Sequence, residues 1–134
     1  MAAKDHFSKK ILVADDLPAT RSDLVKILKD IGFSNVDEAA DGKQAWEKLS
    51  DQAFYGDPYD CIITDIHMPH MTGLALLAKA RGTAVYKKTP IVMVSTENEK
   101  DIIISAISHG ATSYFLKPFD PILVKERLLS ILIS

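Results

Sequence analysis

The chain has little cysteine and no large excess of positive or negative charge. Its single cysteine, Cys61, cannot form a disulfide within the chain. The 16 Lys and Arg residues, against 18 Asp and Glu residues, give a formal net charge of -2, so no strongly cationic field would attract nucleic acid or an anionic membrane. No apolar run approaches the ~18 residues of a membrane span, and the N-terminal segment MAAKDHFSKK has no apolar signal-peptide core. These absences predict a cytoplasmic protein that binds neither nucleic acid nor membranes.

Hydrophobic and charged residues are present in the proportions of a folded domain. Hydrophobic residues make up 47% of the 134 residues and charged residues 25%, which is enough for one compact domain with its own core. The chain contains no repeats and no low-complexity segments. We therefore expect a single domain.

Five short apolar runs alternate with amphipathic segments. The runs predicted to form strands are KKILVA, NVDEAA, DCIIT, IVMV and TSYFL. Five helices are predicted. The first contains Leu24, Ile27, Leu28 and Ile31 and stops at Gly32, and the second contains Ala45, Trp46 and Leu49. The third is LALLAKA, the fourth runs from Glu97 to His109, and the fifth is DPILVKERLLSILI. The segment SDQAFYGDPYD is predicted to be a polar connector because Gly56 and Pro58 disfavour regular structure. Strands that are apolar on both faces and alternate with helices predict an α/β protein with a parallel sheet covered on both sides.

Polar residues stand at the carboxyl ends of the predicted strands, the edge at which open α/β sheets bind ligands. In chain order these residues are Asp15, Asp16, Asp65, Ser95, Thr96 and Lys117. Three carboxylates, a pair of hydroxyls and one ammonium group are therefore expected to converge.

Carboxylates that converge in this way repel one another unless a cation binds between them or some of them take up protons. Carboxylate and carbonyl oxygens are typical ligands of Mg²⁺, and Mn²⁺ could substitute, whereas zinc would favour His or Cys. Lys117 would pair with Asp65 or contact an anion held between it and the metal, and a phosphoryl group fits that position. The pattern predicts a magnesium site that also binds phosphate.

Simpler interpretations of the same residues remain open at this point. Asp15 and Asp16 could cap the first helix. The His and Met side chains of HMPHM could bind copper, although Met68 and Met71 are also suited to filling gaps in a core. Cys61 lies within a predicted buried strand, where a packing role is expected rather than redox chemistry.

Four motifs stand at the ends of the predicted strands: DD after the first strand, DIHMPHMTG after the third, VST after the fourth and YFLKPF after the fifth. With these motifs in this order, the sequence resembles the receiver domain of two-component response regulators, and in particular stand-alone chemotaxis receivers of the CheY kind. The resemblance implies a flavodoxin-like, doubly wound, five-stranded parallel sheet of order 2-1-3-4-5 with helices on both faces. It also implies one receiver domain over residues 1–134, with a core from about residue 9 to residue 133 and no output domain.

The resemblance implies a role for each residue of the expected cluster. Asp65 matches the phosphoacceptor, which takes a phosphoryl group from a phosphohistidine of a histidine kinase and forms an acyl phosphate. Asp15 and Asp16 match the pair that holds Mg²⁺, together with Asp65 and the backbone carbonyl of His67. Lys117 matches a residue that contacts the phosphoryl oxygens.

Two further residues match the conformational switch of the family. Ser95 would hydrogen-bond the phosphoryl group and move toward it, and Tyr114 would turn inward as the loop after the fourth strand follows. The family commonly has a cis peptide bond before the proline that matches Pro118.

Some positions depart from the usual pattern of chemotaxis receivers. His67 stands where Asn is frequent and faces the path of the attacking water, which puts the rate of dephosphorylation in question. Ile66 stands where Trp is frequent, so a fluorescence signal would depend on Trp46. Ser95 replaces the commoner Thr, and Thr96 stands where Ala or Gly is usual and could narrow access to the phosphoryl group.

The resemblance implies a monomeric signalling module whose output is the binding of a separate protein. A flagellar motor switch protein is the leading candidate for that partner, and a phosphate sink or phosphorelay intermediate is the alternative function. The chain is not expected to be an enzyme in the usual sense, although it would catalyse its own phosphorylation and dephosphorylation. For the partner surface we hypothesise an exposed apolar strip of Ile103 and Ile107 beside Tyr114, and the alternative is that these isoleucines pack under the last helix.

Two other function classes share parts of this pattern. Magnesium-dependent phosphatases of the haloacid dehalogenase type place a D-x-D nucleophile after their first strand, whereas the lone acceptor here follows the third. Flavodoxin-like electron carriers bind a flavin phosphate in the first loop, where the acids of DDLPAT would repel it. We therefore favour the phosphorylation-switched module.

Overall fold

A computed structural model describes residues 6–133 of the chain, in which a parallel sheet of five strands forms the centre. In chain order the strands are β1 (Ile11–Ala14), β2 (Val36–Ala39), β3 (Cys61–Asp65), β4 (Ile91–Ser95) and β5 (Ser113–Leu116). Their order across the sheet is β2-β1-β3-β4-β5, and every neighbouring pair is parallel. The predicted doubly wound fold is confirmed.

A helix follows each strand. These helices are α1 (Pro18–Ile31), α2 (Gly42–Phe54), α3 (Gly73–Arg81), α4 (Lys100–Ser108) and α5 (Pro121–Ile133). None of the helices in the described part of the chain is long and apolar enough to cross a membrane.

The sheet separates two hydrophobic layers because successive strand residues point to opposite faces. In β1, Ile11 and Val13 pack into the layer formed with α1 and α5, whereas Leu12 and Ala14 pack into the layer formed with α2, α3 and α4. All four side chains are at most 1% exposed. The near-continuous apolar sequence of the strand therefore results from burial on both sides.

The helix ends follow from local sequence, with two differences from the prediction. Gly32 ends α1 at φ +131°, a conformation that favours glycine, and the Asp41 side chain caps α2 by accepting from the Gln44 amide. The helix α2 continues to Phe54, so the first half of the predicted polar connector is helical, and the chain breaks only near Gly56. The helix expected from Glu97 starts instead as a short 3-10 helix, Glu97–Glu99, before α4 begins.

The isoleucines of α4 are arranged differently from the hypothesised strip. Ile103 is only 7% exposed and packs in the core with Ala106, three residues later on the same helix face. The exposed isoleucines are Ile104, at 66%, and Ile107, at 42%. The prediction that Ile103 is exposed was therefore wrong, because the face carrying Ile103 and Ala106 is the one that turns toward the sheet.

The start of α3 lies unusually close to the end of β3. A Cβ atom at Gly73 would lie 2.0 Å from the carbonyl oxygen of Asp65, and the Gly73 amide donates to the Ile66 carbonyl at 2.8 Å. Only glycine permits this approach. Gly73 thereby fixes the backbone position of the aspartate that ends β3.

Substituting Gly73→Ala should lower the free energy of unfolding by about 2–3 kcal/mol, since the added methyl group meets backbone that cannot easily move. Gly82→Ala is the matched control, because Gly82 has φ -82° and an added Cβ there would meet nothing closer than 3.5 Å. We expect the control to change the free energy by no more than about 0.5 kcal/mol. Urea denaturation of both variants measures this, and equal losses would contradict the steric role of Gly73.

Candidate functional site

Three carboxylates converge at the carboxyl edge of the sheet. Asp65 is the last residue of β3, and Asp15 directly follows β1. The two strands are neighbours in the sheet, and their register pairs Ala14 with Thr64. One oxygen from each of Asp15, Asp16 and Asp65 lies within 4.8 Å of the others. Asp15 and Asp65 are buried, while Asp16 is partly exposed. We call these three residues the acid cluster.

A single ammonium group reaches the acid cluster. The Nζ atom of Lys117 lies 3.0 Å from Oδ2 of Asp65 and 3.2 Å from Oδ2 of Asp15. Lys117 comes directly after β5, its amide donates to the Ser95 carbonyl at 2.8 Å, and the bond to Pro118 is cis, as the sequence resemblance implied. One cation is therefore shared between two buried anions.

The charges at this edge do not balance. The pKa of Asp65 lies above the ordinary value of an aspartate. Burial is the main cause and the nearby Asp15 adds to it, whereas the hydrogen bond and charge of Lys117 act in the opposite direction. Burial alone would lower the pKa of Lys117, but its contacts with Asp65 and Asp15 outweigh that effect and the pKa is raised. Three carboxylates meet one ammonium group here, so negative charge is in excess, which favours the binding of a cation.

Asp15 also has a structural role. Its Oδ1 accepts from the Leu17 amide at 2.9 Å, and its Oδ2 accepts from the Thr20 hydroxyl at 2.9 Å. The alternative interpretation that this acid caps the first helix is not confirmed, because the N-cap residue is Leu17 and no side chain among the described residues caps the helix. Asp15 instead supports the segment that leads into α1 and faces the acid cluster at the same time. These donors also fix the orientation of its carboxylate.

The oxygens of the acid cluster fit a hard divalent cation such as Mg²⁺. The side chains of HMPHM do not converge on a soft metal. His67 pairs with Glu99, His70 lies 3.0 Å from Asp41, and Met68 is buried in the core. Within the described residues, the acid cluster is the one group of three or more potential His, Cys, Asp or Glu ligands close enough to share an ion.

The Ser95 hydroxyl lies at the end of β4 and is only 1% exposed. It donates to Oε2 of Glu99 at 2.6 Å and also lies 3.0 Å from the Thr96 carbonyl. The other carboxylate oxygen of Glu99 lies 3.0 Å from Nε2 of His67. The sequence reasoning did not identify Glu99, although its place four residues after a buried serine, at the start of a helix, suggests an acceptor for that hydroxyl.

These residues enclose a cleft of about 280 Å³. Its lining residues are Asp16, Leu17, Asp65, His67, Ser95, Thr96, Glu99 and Lys117. The predicted Asp65, Ser95, Thr96, His67 and Lys117 are thus brought together in one place. The cleft extends from exposed side chains such as His67 to the buried carboxylate of Asp65, so a small ligand can enter it and reach Asp65.

The remaining candidates lie outside this cleft. Tyr114 is partly buried on β5, with the Arg127 guanidinium 4.7 Å from its ring centroid. It borders a second depression of about 530 Å³, the apolar groove, whose other lining residues are Lys100, Ile103, Ile104, Ile107, Ser108 and Leu116. Cys61 is fully buried, and burial raises the pKa of its thiol to about 12, which agrees with a packing role.

Comparison with known proteins gives a consistent result. A family model described as the response regulator receiver domain matches residues 11–129. The chain is 40% identical over 119 residues to chemotaxis protein CheY1 of Helicobacter pylori, covering 89% of this chain and 93% of that protein. The chemotaxis protein CheY4 of Vibrio cholerae superposes with a TM-score of 0.82 at 34% identity, covering 93% and 99% of the two chains. The CheY of a CheX-CheY-BeF3-Mg²⁺ complex from Borrelia burgdorferi superposes with a TM-score of 0.82 at 28% identity, covering 94% and 90%.

The charge excess predicts a stability effect that depends on pH. The pKa of Asp65 in the folded state is raised above the ordinary value of 3.8. Ionised Asp65 therefore lowers the free energy of unfolding at pH values above its folded-state pKa, and this loss disappears as the pH falls toward 3.8. Asp65→Asn should therefore raise the thermal midpoint at pH 7 without added metal, by about 3 °C for a gain of roughly 1 kcal/mol. The advantage should shrink at lower pH.

The control for this measurement is Asp51→Asn, an identical change at an exposed position of α2. Differential scanning calorimetry from pH 4 to pH 8 compares both variants with the parent chain. A midpoint for Asp65→Asn at or below that of the parent at pH 7 would show that the pairing with Lys117 outweighs the repulsion within the acid cluster.

Proposed function

The chain belongs to the family of response regulator receiver domains, and from this premise we propose that it is a phosphorylation-switched signalling module whose phosphoacceptor is Asp65. The observation that carries the proposal is the position of the Asp65 carboxylate, at the base of the cleft and 3.0 Å from Nζ of Lys117. The similarity to chemotaxis proteins of Helicobacter pylori and Vibrio cholerae supports a role in chemotaxis. Such a module would act in the cytoplasm.

The proposed reaction is the transfer of a phosphoryl group from a phosphohistidine of a histidine kinase. A carboxylate oxygen of Asp65 attacks phosphorus, the P–N bond breaks, its electron pair returns to the imidazole nitrogen of the kinase, and the imidazole takes up a proton from water to leave as the neutral ring. The product is an acyl phosphate. Lys117 would leave its contact with the Asp65 carboxylate for a phosphoryl oxygen, so its positive charge stays next to the charge being transferred.

Mg²⁺ is the cofactor we propose, and Mn²⁺ could replace it. Asp15, Asp16, Asp65 and the backbone carbonyl of His67 would hold the ion. When bound, it neutralises negative charge on the phosphoryl group during transfer. The Borrelia complex supports this assignment, because it contains Mg²⁺ together with BeF3, a mimic of a phosphoryl group on a carboxylate.

We propose that the chain is a switch and not an enzyme acting on many substrate molecules. It would catalyse its own phosphorylation and the later hydrolysis of its acyl phosphate. His67 borders the entrance to the cleft and lies where it could affect the approach of the attacking water.

The proposed output is the binding of a separate protein by a monomeric receiver. A flagellar motor switch protein is our leading candidate, and a phosphate sink or relay function is the alternative. The Borrelia CheY forms a complex with the protein CheX, which supports a protein partner in general. For the binding surface we propose the apolar groove, where Ile104 and Ile107 are exposed beside Tyr114.

Incubation with acetyl phosphate and Mg²⁺ tests the acceptor directly. Intact mass measurement after rapid quenching should show one phosphoryl adduct on the parent chain. The adduct should be absent from Asp65→Asn and absent when EDTA removes the metal. The control Asp51→Asn should be phosphorylated like the parent, and an adduct that persists in Asp65→Asn would disprove the assignment of the acceptor.

Substitution of both Ile104 and Ile107 by Ser should weaken binding of the phosphorylated chain to the motor switch protein of the same organism. We expect a loss of about tenfold or more, since apolar anchors dominate small interfaces, with unchanged phosphorylation of Asp65. Val85→Ser is the control, because Val85 is a 48% exposed apolar residue outside the apolar groove. Binding can be followed by fluorescence anisotropy. If the parent chain itself does not bind, the sink or relay function gains support.

A further inference from the structure

The hydroxyl group of Ser95 is engaged away from Asp65. Its two hydrogen-bond acceptors are Oε2 of Glu99, at 2.6 Å, and the carbonyl of Thr96, at 3.0 Å. Both belong to the segment that follows β4. A distance of 2.6 Å to a carboxylate is typical of the strong, charge-assisted class of hydrogen bonds. Glu99 is therefore the principal acceptor of the Ser95 proton in this structure.

Glu99 also connects Ser95 to the entrance of the cleft. Its second oxygen lies 3.0 Å from Nε2 of His67, which gives a chain of contacts from Ser95 through Glu99 to His67. The Glu99 side chain is 20% exposed, whereas that of His67 is 62% exposed. The chain of contacts thus runs from the buried base of the cleft to its solvent side.

We propose that Glu99 is a positioning residue that holds the Ser95 hydroxyl in the resting state and competes with the phosphoryl group for it. This inference rests on the proposed function of Asp65 as the phosphoacceptor. A serine hydroxyl has a single proton, so a full hydrogen bond to Glu99 and one to a phosphoryl oxygen exclude each other. Phosphorylation at Asp65 releases Glu99 when Ser95 changes its acceptor.

Electrostatics acts in the same direction as the competition for the proton. The Glu99 carboxylate lines the cleft that receives the phosphoryl group, and two negative groups in a confined cleft repel each other. Glu99 therefore moves out of the cleft on phosphorylation. Because Glu99 ends the 3-10 helix directly before α4, its departure displaces the start of α4.

The competition requires a reciprocal effect. If the phosphoryl group weakens the contact between Ser95 and Glu99, removal of that contact must strengthen binding of the phosphoryl group by the same factor. A substitution at Glu99 is therefore expected to increase the affinity of the cleft for a phosphoryl mimic. A residue that only stabilised the fold would not have this effect.

The test uses beryllofluoride with saturating Mg²⁺, and its dissociation constant is measured from amide chemical shifts in ¹⁵N spectra. The variants are Glu99→Gln, Glu99→Ala, Ser95→Ala and the double variant Ser95→Ala with Glu99→Gln. The matched control is Asp101→Asn, which loses the same charge at an exposed position in the first turn of α4. It separates a general charge effect from a specific contact.

We expect Glu99→Gln to bind beryllofluoride about fivefold more tightly than the parent, since a hydrogen bond to a charged acceptor is stronger than one to a neutral acceptor. Glu99→Ala, which removes the acceptor, should show the larger gain. Asp101→Asn should stay within about twofold of the parent because exposed charges are screened. In the Ser95→Ala background the competition for the proton is absent, so Glu99→Gln should give a smaller gain than it gives in the parent chain, due only to the removed charge repulsion.

Three results would overturn the inference. These are equal effects of Glu99→Gln and Asp101→Asn, weaker binding by both Glu99 variants, or a gain at Glu99 that is undiminished without the Ser95 hydroxyl. None of these results contradicts the assignment of Asp65 as the phosphoacceptor, so each of them tests the role of Glu99 alone. Failure of the parent chain both to bind beryllofluoride and to form the acetyl phosphate adduct would instead disprove the proposed function, and this inference with it.

Discussion

Three carboxylates and a single ammonium group meet at the carboxyl edge of the sheet, and the site depends on this imbalance of charge. Lys117 lies between Asp65 and Asp15 and contacts both. Isolated in solution, such groups would separate, because the repulsion between the acids exceeds what one cation offsets. The fold holds them together, and a divalent cation bound between the carboxylates would reduce their repulsion. In the proposed function, metal binding would thus follow from charges that folding has already placed.

The rigidity of the surrounding elements makes this imbalance possible. Asp65 is the last residue of a central strand with a neighbour on each side, and the close packing at Gly73 fixes its backbone. Asp15 is oriented by the Leu17 amide and the Thr20 hydroxyl, which belong to the start of α1. The carboxylates cannot move apart without breaking these contacts. In the proposed function this arrangement would be preorganised, because little reorganisation would remain at the moment of transfer.

Much of this arrangement could be predicted from the sequence, because parallel strands bring their carboxyl ends to one edge. The strand runs were apolar on both faces, and the residues following them, Asp15, Asp65 and Lys117, were therefore expected to meet. The helix faces were harder to predict. Four of the six residues 102–107 are isoleucines that point in several directions around the helix, so the pattern does not indicate which face is buried, and Ile103 was assigned to the wrong one. The role of Glu99 depends on a side chain reaching back to Ser95, and this contact requires the 3-10 turn that sequence periodicity did not reveal.

That 3-10 turn also explains how events in the cleft can reach the apolar groove. Ser95 ends β4, Glu99 ends the turn, and α4 then carries Ile104 and Ile107 to the groove. The side chain of Ser95 is bonded to the turn, while its backbone remains in the sheet, where it is paired with Leu116 of β5. A change of acceptor at Ser95 can therefore alter the turn without disturbing the sheet. Coupling between sites needs an element with two discrete arrangements. In our proposal that element is the turn, which the side-chain contacts of Glu99 with Ser95 and His67 hold between the strand and the helix.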